Sequence, residues 1–64
     1  MKGADPSMWE PGDVVTNPAG DTVVLVRRAT KSEVGTYGKP GWLLEGGAGR
    51  LDDWSARRHG WRVL

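Results

Sequence analysis

The chain has 64 residues, a formal net charge of +1 and no cysteine, so it can form one small domain without disulfides. A single histidine argues against a structural zinc site, and no apolar run approaches the ~20 residues of a membrane span. These features exclude disulfide-stapled and membrane-spanning proteins, and they predict a cytoplasmic protein that needs no metal or cofactor.

Residues 1–8 carry few apolar groups and no periodicity, which predicts a flexible leader before a single small β domain over residues 9–64. The stretch "NPAGD", residues 17–21, separates two β-branched runs. Asn17 and Pro18 suit the first two positions of a type I turn, and Gly20 suits the left-handed position after it. The pattern predicts a bulged β-hairpin.

The second strand of that hairpin, "TVVLVRR" at residues 22–28, is apolar on both faces over residues 23–26. A strand that is buried on one side alternates apolar and polar residues. This strand is therefore expected either to be covered on both faces or to meet a partner on one. Residues 29–41 are polar and rich in turn formers, which predicts a long loop, with or without a short strand over residues 33–36.

Two further strands are predicted at residues 41–45, "GWLLE", and at residues 61–64, "WRVL". The glycine-rich stretch "EGGAGR" between them resembles a phosphate-binding loop. Such a loop requires a lysine and a hydroxyl residue directly after its glycines, and Arg50 and Leu51 stand there instead. We interpret residues 46–49 as a tight connection without a nucleotide.

The stretch "DDWSARRHG", residues 52–60, places Asp52, Ser55 and His59 at helical spacing, which invites a catalytic interpretation. Helix-end chemistry explains the same residues. Asp52 suits the N-cap, the basic residues suit the last turn, and Gly60 suits the end of the helix. A nucleophilic serine also needs an oriented base and an oxyanion hole, which a short exposed helix does not provide. We therefore predict a short helix and no enzymatic activity.

Four tryptophans in so short a chain are a high count. Trp42, Trp54 and Trp61 fall in predicted strands and the helix, so they are expected to fill the core. Trp9 lies beside the predicted leader and is expected to be partly exposed. Both core and interface positions are open for Trp9 and Tyr37, since aromatic residues are frequent at binding surfaces.

Arginines cluster in the strand at residues 22–28 and in the stretch 52–62. Beside aromatic rings they could bind single-stranded nucleic acid, but the near-zero net charge favours an ordinary solvated face paired with acids. The candidate partner-binding residues are Trp9, Tyr37, Arg27, Arg28, Arg57 and Arg58.

The element order resembles an SH3-like small β-barrel over residues 12–64, in which a short helical turn precedes the last strand. The fold class is therefore predicted as mainly all-β, either this barrel or a strongly twisted antiparallel sheet with one short helix. The open alternative has four strands and dimerises, as the two-faced apolar strand suggests.

The residues 12–15, 20–26, 41–42 and 60–64, "GDVV", "GDTVVLV", "GW" and "GWRVL", resemble short uncharacterised proteins encoded by phages of high-GC Gram-positive hosts. The resemblance implies a small accessory protein that binds a host protein. The leading hypothesis is a non-enzymatic binding module that engages a host protein or forms a homo-oligomer. The alternatives are a nucleic-acid-binding accessory protein and a small structural subunit of a virion or complex.

Overall fold

The computed structural model describes residues 3–64 and shows a small mixed α/β domain. Its core element is a five-stranded antiparallel sheet, accompanied by two short α-helices and two 3-10 turns at Pro6–Met8 and Glu45–Gly47. The elements in chain order are β1 (Val14–Thr16), β2 (Thr22–Arg28), α1 (Lys31–Tyr37), β3 (Gly41–Leu44), β4 (Arg50–Asp52), α2 (Asp53–Arg58) and β5 (Arg62–Val63).

The sheet is open, with the strand order β4-β3-β2-β1-β5. The predicted barrel is therefore wrong, whereas the antiparallel sheet and the helix before the last strand are confirmed. The sheet has five strands because residues 50–52 form β4, a strand that the sequence does not predict. The outer edge of β5 is bonded to residue 3 rather than to β4: the Val63 N–H donates to the Gly3 carbonyl at 3.0 Å.

The predicted hairpin between β1 and β2 is confirmed. Thr16 pairs with Thr22 at its closed end, and Gly20 takes the left-handed conformation with a φ of 90°. The Asn17 side-chain oxygen accepts the Asp21 N–H at 2.9 Å, and the Asn17 N–H donates to the Asp21 carbonyl at 3.1 Å. Both the side chain and the backbone of Asn17 thus hydrogen-bond to Asp21 and close the turn.

Helix α1 occupies the segment that was predicted as a long loop, and this prediction is wrong. A capping box starts the helix: Thr30 Oγ1 accepts the Glu33 N–H at 3.3 Å, and the Glu33 carboxylate accepts the Thr30 N–H at 2.8 Å. Gly38 ends the helix in the left-handed conformation. These interactions at both helix ends outweigh the polar composition that suggested a loop, and they make the fold mixed rather than all-β.

Helix α2 is confirmed with its predicted cap. The Asp52 carboxylate accepts the Ser55 N–H at 2.9 Å, and Gly60 follows the last turn with a φ of 74°. Asp52 is also the last residue of β4, where it pairs with Gly41. One residue therefore ends a strand and begins the helix.

The core lies on one face of the sheet, where residues from four strands meet. Trp42 is buried as predicted, and Trp61 packs against the core from outside it. Trp54 is largely exposed, so its prediction as a core residue is wrong. Trp9 is buried, which is the core position that the sequence left open and not the partial exposure that was expected. The buried apolar side chains are Trp9, Val15, Leu25, Trp42, Leu51 and Ala56.

Part of the predicted leader packs onto this core. Pro6 is buried, the Trp42 indole N–H donates to the Pro6 carbonyl at 3.1 Å, and the Trp9 indole N–H donates to the Gly3 carbonyl at 2.9 Å. The indole N–H of each buried tryptophan thus donates a hydrogen bond to a backbone carbonyl of this segment. Of the predicted leader, Met1 and Lys2 lie outside the described residues.

The alternation of inward-facing and outward-facing side chains along β2 is interrupted by a β-bulge. Its pairing register with β3 shifts between Leu25 and Arg27, so Val26 stands at a β-bulge and is exposed, whereas Leu25 is buried. A bulge adds a residue to one strand and reverses the faces of those that follow. The apolar run ends at this bulge and does not bury both faces: Leu25 is buried and Val23 packs against the core, whereas Val26 is exposed.

Candidate binding surface

Two aromatic rings from different helices are more than half exposed, Tyr37 at 58% and Trp54 at 57%. Each ring lies under a cation. The Arg50 guanidinium is 4.4 Å from the Tyr37 ring centroid, and the Trp54 centroid lies 5.0 Å from Lys39 Nζ and 5.2 Å from the Arg58 guanidinium. These distances fall within the range of cation–π interactions. We call these residues the stacked surface: Tyr37, Lys39, Arg50, Trp54 and Arg58.

Hydrogen bonds to backbone carbonyls hold the parts of the stacked surface together. Arg50 Nη2 donates to the Lys39 carbonyl at 2.7 Å, which joins the start of β4 to the link after α1. The Asp53 N–H donates to the Pro40 carbonyl at 2.9 Å, which joins the same link to α2. Trp54 and Arg58 are four residues apart on α2 and therefore share a side of that helix.

The cations of the stacked surface differ from three of the other arginines in their partners. Within residues 3–64, no carboxylate lies within salt-bridge distance of Lys39, Arg50 or Arg58. Three other arginines each pair with an acid, at 2.7–3.1 Å. The near-zero net charge therefore conceals a surface on which three cations make no salt bridge, with Asp52 as the acid near Lys39. The ion pairs are Arg27–Glu33, Arg28–Asp53 and Arg57–Asp5.

The structure places the six predicted site residues in three different settings. Tyr37 and Arg58 belong to the stacked surface, the arginines at 27, 28 and 57 form intramolecular ion pairs, and Trp9 lies in the core. The prediction missed Lys39, Arg50 and Trp54. The helical spacing of Trp54 and Arg58 could have revealed that pair. Nothing local relates Lys39 to Arg50, which meet because β3 folds back onto β4.

Arg28 has a structural role at the border of the core. Its guanidinium donates two hydrogen bonds to the Asp53 carboxylate, at 2.8 and 3.1 Å, and lies 5.3 Å from the Trp42 ring centroid. The contacts join β2 to the first residue of α2. Since bidentate pairing fixes both side chains, Arg28 helps to orient the helix that carries Trp54.

Asp52, Ser55 and His59 take part in the hydrogen bonds that begin and end helix α2. The Asp52 carboxylate caps the Ser55 N–H, and the His59 N–H donates to the Ser55 carbonyl at 2.9 Å. Partial burial acts to raise the pKa of Asp52, but the hydrogen bonds from Ser55 and the nearby charge of Lys39 lower it below its ordinary value. Asp52 therefore acts as the predicted helix cap, and the absence of catalysis stays a prediction.

Glu33 gives α1 a measurable acid sensitivity. Hydrogen bonds from Arg27, and then from the Thr30 N–H, lower the pKa of Glu33 from 4.5 to about 2. Because this pKa is lower in the folded state, the carboxylate stabilises the fold fully above about pH 4.5 and loses that effect toward pH 2. We expect Glu33→Gln to lower the free energy of unfolding at neutral pH and to have a smaller effect in strong acid. Urea unfolding of both proteins at the two pH values measures this, and an equal difference at both would contradict it.

Within residues 3–64, no helix is long and apolar enough to cross a membrane, and no group of three or more His, Cys, Asp or Glu side chains is placed to hold a metal. Comparisons with protein-family models, curated proteins and solved structures find no match to the chain. The resemblance to short phage proteins therefore stays a prediction.

Proposed function

We propose that the protein is a non-catalytic binding module that uses the stacked surface to engage a negatively charged macromolecule. One observation carries the proposal: among residues 3–64, three cations that make no salt bridge lie against two exposed aromatic rings. Tryptophan, tyrosine and arginine are the residues that most often dominate binding energy at interfaces. An exposed group of them, on a chain of only 64 residues, supports a role in binding.

The contacts within the stacked surface favour tight binding. A free lysine or arginine loses side-chain freedom when it meets a partner, and this loss weakens binding. Lys39 and Arg58 already contact the Trp54 ring, and Arg50 contacts both the Tyr37 ring and the Lys39 carbonyl. Part of their freedom is lost before the partner arrives. The positive charges are therefore held close together in advance.

The charge of the stacked surface also argues against a homo-oligomer formed through it, which is one of the alternatives that the sequence allows. A symmetric dimer formed through the stacked surface would bring its centre against the same surface of a second copy. The cations Lys39, Arg50 and Arg58 would then face like charges, which disfavours association. The partner proposed for this surface is therefore a different and negatively charged molecule.

Retention on a heparin column tests the proposal with two variants of equal net charge. Arg58→Ala removes a cation from the stacked surface, and Arg62→Ala removes an exposed arginine from β5, at the opposite edge of the sheet from β4. We expect the wild type and Arg62→Ala to elute at similar salt concentrations and Arg58→Ala to elute clearly earlier. Equal shifts for the two variants would mean that retention follows net charge alone, and would contradict the proposal.

A further inference from the structure

We infer that the macromolecule bound by the stacked surface is a single-stranded nucleic acid. The inference rests on the proposed function and adds the chemical class of the partner. It depends on the rings as well as on the charges, since an acidic peptide would need only the cations. Tyr37 and Trp54 expose more than half of their surface at the same place as the cations.

Pairwise contacts link the rings and cations of the stacked surface into one connected path. Arg50 touches the Tyr37 ring and the Lys39 carbonyl, and Lys39 and Arg58 both touch the Trp54 ring. A single strand carries a planar base and a negative phosphate in every nucleotide. Bases stack on aromatic rings and on guanidinium planes, while basic side chains contact the phosphates. The path therefore offers a complementary group for each part of the strand.

The same groups discriminate against a duplex. In a double helix the faces of the bases are stacked on their neighbours and cannot reach a protein ring. A duplex would therefore meet the cations of the stacked surface but leave Tyr37 and Trp54 without a role. Unpaired bases in a single strand, a loop or an end can turn toward both rings.

Fluorescence anisotropy with a labelled thymidine oligonucleotide of about 12 nucleotides tests the inference on the full chain. We expect Trp54→Ala to weaken binding by about 5- to 150-fold, the loss that follows when one stacking partner is removed. Trp54→Phe keeps an aromatic ring and is expected to retain most of the affinity. Arg62→Ala is the matched control and is expected to bind like the wild type.

Salt dependence gives a second measurement that stacking alone would not change. If Lys39, Arg50 and Arg58 each contact a phosphate, the logarithm of the binding constant should fall with the logarithm of salt concentration with a slope of about −2. Arg58→Ala should reduce the size of this slope by about 0.7, and Trp54→Phe should leave it unchanged. Thermal unfolding of each variant confirms that it is folded during the titration.

Duplex DNA and polyglutamate, used as competitors, distinguish the remaining outcomes. Strong competition by an unlabelled single strand and weak competition by duplex would support the inference. Binding of polyglutamate through the same residues, without binding of the oligonucleotide, would overturn the nucleic-acid inference and leave the proposed function standing. Oligonucleotide binding that falls in Arg58→Ala but not in Trp54→Ala would overturn the role of the rings. Binding of neither polymer, with equal heparin shifts, would overturn both proposals.

Discussion

Replacing Gly41 by alanine is expected to destabilise the domain by about 1–3 kcal/mol, the usual cost of forcing an extra carbon into a packed site. A Cβ at this position would lie 2.6 Å from the Asp52 Cα and 2.7 Å from the Leu51 carbonyl oxygen. These are backbone atoms of β4, so they cannot rotate aside as a flexible side chain would. The strands would have to separate, and Leu51 would leave the core. In a domain of this size, each kcal/mol lowers Tm by about 4–8 °C, which thermal unfolding followed by circular dichroism detects.

Gly35→Ala is the matched control for this substitution. Gly35 lies inside α1 without a positive φ, and a Cβ there would meet no atom within 4 Å. Alanine favours a helix over glycine by up to about 1 kcal/mol, so this variant should be as stable as the wild type or more stable. Equal losses of Tm in the two variants would show that β3 and β4 do not approach as closely at Gly41 as the structure indicates.

Arg28→Met is expected to lower the free energy of unfolding by about 2 kcal/mol. The side chain of Asp53 is only 11% exposed, and that of Arg28 is 40% exposed. Without the guanidinium, the carboxylate loses two hydrogen bonds and stays in a poorly hydrated place, which costs about 1–3 kcal/mol. The contact with the Trp42 ring is lost as well. Urea unfolding at neutral pH measures the change.

Arg27→Met provides the comparison, since Arg27 also makes a bidentate ion pair, with Glu33. That pair is more exposed, at 49% and 28%, so water replaces the lost contacts more readily and the loss of stability should be smaller. Adding Asp53→Asn to Arg28→Met should recover part of the loss, because it removes the unpaired charge. A larger loss in Arg27→Met, or no recovery in the double variant, would show that Asp53 is well hydrated.

The elements that the sequence predicts correctly are those specified by neighbouring residues. Asn17 and Gly20 define the hairpin turn within five positions, and Asp52 caps α2 three residues ahead of Ser55. Helix α1 has an equally local capping box, with Thr30 and Glu33 three residues apart. The polar composition of residues 29–41 favours a loop and hides this pair in the sequence.

Burial and the candidate surface could not be predicted in the same way, since they depend on contacts between distant residues. The Trp42 indole donates a hydrogen bond to Pro6, 36 residues away in the sequence. Arg57 donates one to Asp5, 52 residues away. Arg28 is neutralised by Asp53, 25 residues away, whereas only Arg27 has its acid, Glu33, within six residues. The sequence therefore showed a nearly neutral chain, whereas the folded chain separates its paired arginines from the cations of the stacked surface.

The segment from residue 3 to residue 8 has a consequence for the colloidal behaviour of the protein. The Gly3 carbonyl accepts the hydrogen bond of the Val63 N–H on the outer edge of β5. The Pro6 carbonyl accepts that of the Trp42 indole N–H. An exposed strand edge is a template for pairing with other chains and favours aggregation. Because residue 3 already occupies the Val63 N–H, this segment hinders the pairing of β5 with a strand of another chain. A version trimmed to residues 9–64 would retain every strand of the sheet and lose that protection.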